Sequence, residues 1–197
     1  MKVLVACEFS GRVRDAFILR GHDAISCDIL ETEKPGPHYM GDVKDILYSK
    51  DWDLIIAHPP CTYLTLSGVR WLEGNSERWQ NMLDAVNFFN LFLDHPCPRI
   101  CVENPIMHGY AKSRLQIPDY SQKTQPYFHG HPEKKSTCFW LKGLPLLKAS
   151  KNVSHLMIGR SPDEINKVHW EGQSKQRQKN RSRTFEGIAK AMAAQWG

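Results

Sequence analysis

Short apolar runs alternate with helical patterns along the first half of the chain. The runs "KVLVA", "DAISCDI", "WDLIIA" and "RICVE" are rich in aliphatic residues and predict four strands. Between them, "GRVRDAFILRGH" and "NSERWQNMLDAVNFFNLFLDHP" place apolar side chains at helical spacing, with Gly21 and Pro96 where each helix should end. This alternation predicts an α/β fold with a mostly parallel sheet and helices on both of its faces.

The second half of the chain is less regular. Residues 105–133 show no sustained period, whereas "STCFWLKG" predicts a further strand. Residues 144–183 are polar and weakly patterned, so the pattern assigns no element there. The last run, "TFEGIAKAMAAQWG", predicts a helix with Phe185, Ile188, Met192 and Trp196 on one face.

Length and composition fit one compact domain. The chain has 197 residues, of which 41% are hydrophobic. No run approaches the roughly 18 apolar residues of a membrane span, and the N-terminus lacks the long apolar region of a signal peptide. We therefore expect a cytoplasmic protein with no membrane partner, and reduced thiols at its six cysteines.

The net charge of +5 fits a polyanionic partner but does not require one. Much of the positive charge lies in "KQRQKNRSR", residues 175–183, which contains no acidic residue. A solvated linker would have the same composition, so this run alone leaves nucleic-acid contact open.

Residues suited to a binding site follow each predicted strand of the first half. They are "CEFSG" after the first strand, Asp28 after the second, "GDVKD" further on, and "HPPC" and "ENP" after the next two. In parallel α/β sheets, ligands bind at the carboxyl ends of strands, near the point where the strand order reverses. We therefore expect these segments to lie together.

The first three segments have the chemistry of a nucleoside-binding site. "EFSG" opens a helix, where backbone N–H groups are available, Phe9 can lie against a flat ring, and Gly11 allows close approach. Asp28 stands where an acidic residue would hold ribose hydroxyls, and Asp42 can accept a hydrogen bond from an adenine amino group. Each feature alone also fits an ordinary turn.

The segment "HPPC" holds a thiol on a stiffened loop, because proline fixes its own φ and restricts the residue before it. Cys61 can therefore be a nucleophile, a metal ligand or a buried structural residue. His58 and Cys61 have no partner pair at metal-ligand spacing, and two of the three residues in "HPCPRIC" that could bind metal flank a strand. We expect no metal site.

The ordered set "FSG", Asp28, "GD", "PPC" and "ENP" resembles the motifs of DNA cytosine-5 methyltransferases. The resemblance spans nearly the whole chain, and "GHPEKK" and "GIAKAMAAQW" are similar to segments of short phage and prophage members. It implies a Rossmann-like S-adenosylmethionine-dependent methyltransferase fold and transfer of a methyl group to C5 of cytosine in double-stranded DNA. It also implies a protein of a bacterial host or its phage.

The resemblance implies a division of the chain and a role for each motif. Residues 1–143 would be the catalytic, cofactor-binding domain, 144–183 a reduced basic recognition or linker segment, and 184–197 a helix that packs back on the domain. Cys61 would add to cytosine C6, Glu103 would act at N3, Asn104 would brace the Pro-Cys loop, and Lys135 would replace a basic contact on the next strand. S-adenosylmethionine would contact Phe9, Ser10, Gly11, Asp28, Ile29, Asp42, Val43 and Pro59. DNA would contact Pro60, Thr62, Lys175, Arg177, Lys179, Arg181 and Arg183.

Three departures from the family pattern keep alternatives open. Val13 stands where the family has a second glycine, "KKST" replaces paired arginines, and only residues 144–183 are available for target recognition. We therefore expect relaxed or very short sequence specificity, or a partner protein that supplies it. The alternatives are the same chemistry on RNA or a mononucleotide, an amino-methyltransferase, and a non-catalytic relative that binds cofactor or nucleic acid. Amino-methyltransferases use Asp, Asn or Ser before Pro-Pro-aromatic, where this chain has His58 and Cys61.

Overall fold

A computed structural model describes residues 1–170 and 177–197. In this part of the chain, one sheet has the strand order β3-β2-β1-β4-β5-β7-β6. Its strands are β1 (Lys2–Ala6), β2 (Asp23–Asp28), β3 (His38–Met40), β4 (Leu54–Ala57), β5 (Ile100–Asn104), β6 (Gln122–Thr124) and β7 (Thr137–Lys142). Strands β1 to β5 are parallel to one another, and β7 runs antiparallel to both β5 and β6.

Helices cover both faces of this sheet. They are α1 (Arg12–Ile18), α2 (Lys44–Leu47), α3 (Ser76–Leu93), α4 (Gly109–Lys112), α5 (Pro162–Ile165), α6 (Lys167–Trp170), α7 (Arg177–Ser182) and α8 (Glu186–Trp196). Single 3₁₀ turns occur at Leu66–Trp71, Pro126–Phe128 and Ser154–Met157. The prediction of a mostly parallel sheet between two helical layers is confirmed.

Two apolar clusters, one on each face, hold the sheet between its helices. On one face, Met82 and Phe89 of α3 pack in a cluster with Leu4 and Ile55 of the sheet. On the other, Phe17 of α1 and Met192 and Trp196 of α8 pack with Val3 and Ile56. Alternate residues of β1 and β4 therefore point to opposite clusters, as the twofold repeat of a strand requires.

The structure adds short elements that the pattern did not assign. β3 and β6 have three residues each and lie at the two edges of the sheet, where a period-2 alternation is too short to be seen. Helix α5 lies within residues 144–183 and begins with a capping box, in which Ser161 and Glu164 satisfy each other's backbone N–H groups. No helix in the described ranges combines the length and the apolar character needed to cross a membrane.

Candidate active site

The Pro-Cys loop begins where β4 leaves the sheet. The backbone N–H of His58 still donates to the carbonyl of Ala6 at 2.9 Å, so β1 holds the start of the loop. Pro59 is buried, Pro60 and Thr62 are exposed, and Cys61 lies between these states. The Cys61 carbonyl accepts from Leu64 at 3.0 Å and from Thr65 at 3.2 Å, so the chain turns sharply after the thiol.

Glu103 lies at the end of β5 and is paired with His58. Nδ1 of His58 donates to Oε2 of Glu103 at 3.2 Å, and the two side chains are only 6% and 15% exposed. Burial acts to raise the pKa of Glu103, but the hydrogen bond and charge of His58, aided by Lys135, outweigh it and leave the pKa lowered. Glu103 is therefore a carboxylate at neutral pH.

Nε2 of His58 is buried and has no hydrogen-bond partner in the described part of the chain. Because Nδ1 is committed to Glu103, Nε2 is the nitrogen that remains for a further partner. A buried polar atom without a partner is uncommon in native structures, so this nitrogen marks a position where a bound group can complete the site.

Asn104 joins the two strand ends. Its side-chain Nδ2 donates to the carbonyl of Pro59 at 3.1 Å, which holds the Pro-Cys loop against the end of β5. Its Oδ1 is buried and has no hydrogen-bond partner within the described residues. The structure therefore brings together Cys61, Glu103 and Asn104, although more than 40 residues of sequence separate the thiol from the other two.

The thiol of Cys61 is protonated in this resting arrangement. Burial raises its pKa, and the negative charge of Glu103 raises it further, while Lys135 and Arg181 act in the opposite direction. Attack by sulfur therefore requires that the thiol proton move to another group.

Lys135 reaches the same place because β7 is antiparallel. The residues before the start of β7 lie beside the carboxyl end of β5, and Nζ of Lys135 donates to the carbonyl of Arg181 at 2.6 Å. Burial lowers the pKa of Lys135, against the negative charge of Glu103, which acts to raise it. A small cavity lies between Lys135, Glu103 and residues at the start of α8, including Phe185 and Met192. The C-terminal helix thus returns to the site.

The turn after β1 has features suited to the cofactor. Gly11 has φ +70°, and a Cβ there would lie 2.5 Å from the Arg14 guanidinium, so only glycine fits. Ser10 Oγ donates to Oε1 of Glu8 at 2.5 Å, whereas Oε2 of Glu8 is buried without a partner in the described ranges. Glu8 was not among the residues predicted from the sequence, although an acidic residue directly after a buried strand is a usable signal.

The other predicted cofactor contacts lie along the same edge of the sheet. Asp28 ends β2, and burial raises the pKa of its carboxyl. Ile29 beside it is exposed, which suits stacking against a flat ring. Asp42 is exposed and accepts a hydrogen bond from the backbone of Lys44 at 3.0 Å, and Val43 is buried under it.

Two of the predicted DNA-contacting cations, Lys179 and Arg183, contact other side chains of the protein. Arg183 pairs with both carboxylate oxygens of Glu33, at 2.5 and 2.7 Å. Lys179 lies 5.9 Å over the ring of Phe9, which is itself buried, and Arg177 is partly buried. Lys175 lies outside the described residues. Helix α7 therefore lies beside Phe9, one of the predicted cofactor contacts.

Metal ligation has no support in the described ranges, where no three His, Cys, Asp or Glu side chains gather at metal-binding distances. His95, one of the histidines considered in the sequence, instead bonds the carbonyl of Leu47 at 3.0 Å and accepts from the backbone of Cys97 at 3.1 Å. All six cysteines carry free thiols.

No protein-family model and no curated protein matches this chain. Among solved structures, it is similar to a candidate DNA modification methyltransferase encoded within an Escherichia coli prophage, with 15% identity, a TM-score of 0.49 and coverage of 82% of this chain and 56% of that one. It is similar to the S. pombe Dnmt2 methyltransferase, with 14% identity, a TM-score of 0.45 and coverage of 88% and 62%. It is also similar to an E. coli rRNA methylase, with 15% identity, a TM-score of 0.39 and coverage of 71% and 55%.

The chain thus spans less than two thirds of the length of each of these proteins. Its own strand order, which reverses at β1 and places an antiparallel β7 between β5 and β6, is that of the Rossmann-like α/β methyltransferase fold. The predicted fold is confirmed.

Proposed function

We propose that the protein transfers a methyl group from S-adenosylmethionine to C5 of cytosine in DNA, through a covalent bond between Cys61 and the base. The observation that carries this proposal is the hydrogen bond from Asn104 to the Pro59 carbonyl. It holds the loop that presents the thiol beside the strand end that presents Glu103. A nucleophile and a proton-handling group on two fixed elements are what this chemistry needs.

The residues after β1 and β2 suit S-adenosylmethionine, which when bound supplies an electrophilic methyl group. The unpartnered Oε2 of buried Glu8 can accept a hydrogen bond from the ammonium group of an amino acid moiety. Asp28 can accept from ribose hydroxyls, and Ile29 offers an exposed apolar side chain to a base. Phe9, Ser10, Gly11, Asp42, Val43 and Pro59 remain proposed contacts.

The charges at the site suggest where the protons go. Addition of the thiol forms the S–C6 bond and releases the thiol proton, and the base needs a proton at N3. Glu103 is a carboxylate that can take one proton and pass it to N3, and His58 holds it in position through Oε2. Transfer of the methyl group to C5 would leave S-adenosylhomocysteine. The C5 proton then leaves to solvent, the S–C6 bond breaks, and the C5–C6 double bond returns, while the N3 proton goes back through Glu103 to the Cys61 sulfur.

Labelled S-adenosylmethionine, supplied with duplex DNA, single-stranded DNA, RNA and deoxycytidylate in parallel, tests the proposal. We expect 5-methylcytosine in DNA, and a covalent complex with DNA that contains 5-fluorocytosine. Cys61→Ala should lose both. Cys97→Ala is the matched control and should retain both. Cys97 is a buried cysteine that precedes β5, at the amino ends of the parallel strands and away from Cys61.

Each alternative gives a different result in the same assay. Methyl groups on an amino nitrogen, or turnover that survives Cys61→Ala, would overturn the nucleophile role. If only RNA or only deoxycytidylate were methylated, that molecule and not DNA would be the substrate. Cofactor binding without any methylated product would indicate a non-catalytic relative. A partner protein that supplies sequence recognition stays a prediction, to be checked by the sequence context of methylation with the chain alone.

A further inference from the structure

Exposed rings and arginines surround the loop that follows Cys61. Two of the rings are more than half exposed, Trp71 at 56% and Tyr110 at 53%. The loop, the start of α3 and helix α4 contribute to one patch, which we call the aromatic–arginine surface. It consists of Tyr63, Arg70, Trp71, Arg78, Trp79, Tyr110 and Arg114.

Three arginines of this surface lie over aromatic rings. The guanidinium carbon of Arg70 is 4.7 Å from the centre of the Trp71 ring. Arg78 lies in the same way 5.1 Å over Tyr63, and Arg114 lies 5.6 Å over Trp79. Trp79 in turn meets Tyr110 edge to face, with ring centres 5.2 Å apart. Flat apolar faces and positive charge are therefore interleaved.

The surface is fixed to the proposed active site by backbone hydrogen bonds. The loop after Cys61 pairs with the loop after Asn104, because Leu66 donates to Ile106 at 3.3 Å and His108 donates to Leu64 at 3.0 Å. Gly68 allows the close packing of this loop, since a Cβ there would lie 2.9 Å from the Arg78 guanidinium. The rings are thus held in place relative to both strand ends that carry Cys61 and Glu103.

The chemistry of the surface selects its partner. Nucleobases stack on aromatic side chains, and phosphates pair with arginine, so a nucleic-acid strand satisfies both kinds of group. In a duplex the base faces are already stacked on each other, so only unpaired nucleotides can use these rings. The exposed acids Glu73 and Glu77 lie close by in the chain and limit the net positive charge, which leaves the rings as the main attraction.

We propose that the aromatic–arginine surface binds unpaired nucleotides next to the target base, so that the substrate is a single strand or a locally opened duplex. This inference rests on the proposed function in assigning the target base to Cys61. It assigns binding of a nucleic-acid strand to the aromatic–arginine surface, which lies outside residues 144–183. The sequence had suggested residues 144–183 as the recognition segment.

Binding measured without turnover tests this inference. The probe is a fluorescein-labelled oligonucleotide of about 12 nucleotides, a length within the site sizes of single-strand binders. It is supplied as single-stranded DNA, single-stranded RNA and duplex DNA, with Cys61→Ala protein and no cofactor. We expect tighter binding of a single strand than of the duplex, with quenched tryptophan emission, and the two single-stranded probes identify which sugar is preferred.

Substitutions on the surface give the second readout. Trp71→Ala and Tyr110→Ala should each weaken single-strand binding by roughly 5- to 100-fold, the range for one stacked base. Trp71→Tyr should retain most of the affinity, which separates stacking from folding. Arg70→Ala should reduce the salt dependence by about one counterion. Leu19→Ala and Arg20→Ala, which change exposed residues at the end of α1, are the matched controls and should bind normally.

Equal binding of single strand and duplex, or normal binding by Trp71→Ala, would overturn the inference. The inference would also be wrong if the aromatic–arginine surface bound a protein and not the oligonucleotide. Because the probe is bound by Cys61→Ala protein, the result does not depend on catalysis. Normal single-strand binding by a protein that makes no methylated product would contradict the proposed function alone.

Discussion

Arg14 and His58 are both buried polar side chains, but they differ in how many of their hydrogen-bonding atoms have partners. The guanidinium of Arg14 is fully buried and donates to five oxygens of nearby residues, those of Asp15, Ser26, Thr32, Lys34 and Pro35. His58 uses Nδ1 on Glu103 and leaves Nε2 without a partner in the described ranges.

The difference separates a residue whose hydrogen bonds are complete within the fold from residues that keep a buried polar atom without a partner in the described ranges. Arg14 ties α1 to β2 and to the loop after it, and its geometry is complete without any other molecule. Around His58, the buried Oδ1 of Asn104 is also without a partner in the described part of the chain, so two open polar atoms lie at adjacent strand ends. Unsatisfied buried groups are costly, so a protein that retains them has a use for them.

The largest effect should come from removing proton transfer by Glu103, which lies beside the unpartnered polar atoms of His58 and Asn104. Glu103→Gln keeps a group that accepts from His58 but cannot carry a proton, so we expect turnover to fall by about 10²- to 10⁴-fold with little change in stability. Initial rates with labelled cofactor, together with a thermal unfolding curve, measure both. Asp51→Asn, an exposed carboxyl-to-amide change, is the control. Normal turnover by Glu103→Gln would remove Glu103 from the mechanism.

The next largest effect should come from removing the Arg14 guanidinium and its five hydrogen bonds. Arg14→Met leaves buried hydroxyl and carbonyl groups without their donor, so we expect the free energy of unfolding to fall by about 3–5 kcal/mol. Urea denaturation measures it, with exposed Arg20→Met as the control. A loss below about 1 kcal/mol, within the range of surface changes, would show that Arg14 is not a structural centre.

The smallest effect is a shift in the reactivity of Cys61 with pH. The negative charge of Glu103 raises the pKa of the thiol, so Glu103→Gln should lower the pH at which alkylation by iodoacetamide reaches half its maximal rate. The positive charge of Lys135 acts in the opposite direction, so Lys135→Met should raise that pH. Peptide mass spectrometry assigns the label to Cys61, and shifts of the same sign in both variants would contradict this arrangement of charges.

The order of residues along the chain was enough to predict a mostly parallel sheet and the strand ends that meet, but not β3, β6 or the strand order. Asp28, Cys61 and Glu103 each follow an apolar run, and parallel strands bring such positions to one edge. The pairings at that edge were not predictable, because His58 to Glu103 and Asn104 to Pro59 each span 45 residues and leave no local pattern. Glu8 was not predicted, although it stands two residues after the end of a buried strand.

The basic run shows a second limit of sequence reasoning. Its composition left contact with phosphates open. In the structure Arg183 pairs with Glu33 and α7 lies beside Phe9, and contact of this run with DNA stays a prediction. Composition reports charge and not the partner of that charge. Conversely, the aromatic–arginine surface has no compositional signal, since its arginines are offset by nearby acids in the same stretch and its rings come from separate elements.

The insertion of β7 between β5 and β6 has a consequence for the order of assembly during synthesis. Strands β1 to β5 can pair as soon as each emerges, but one edge of β5 keeps unpaired backbone groups until residues 137–142 arrive and also join β6 to the sheet. A nascent chain that pauses before Thr137 therefore carries Cys61 and Glu103 on aligned strands, while the unpaired edge of β5 can still pair with another chain. Completion of β7 closes that edge and brings Lys135 beside the end of β5 in the same event, so a proposed site residue and protection from aggregation arrive together.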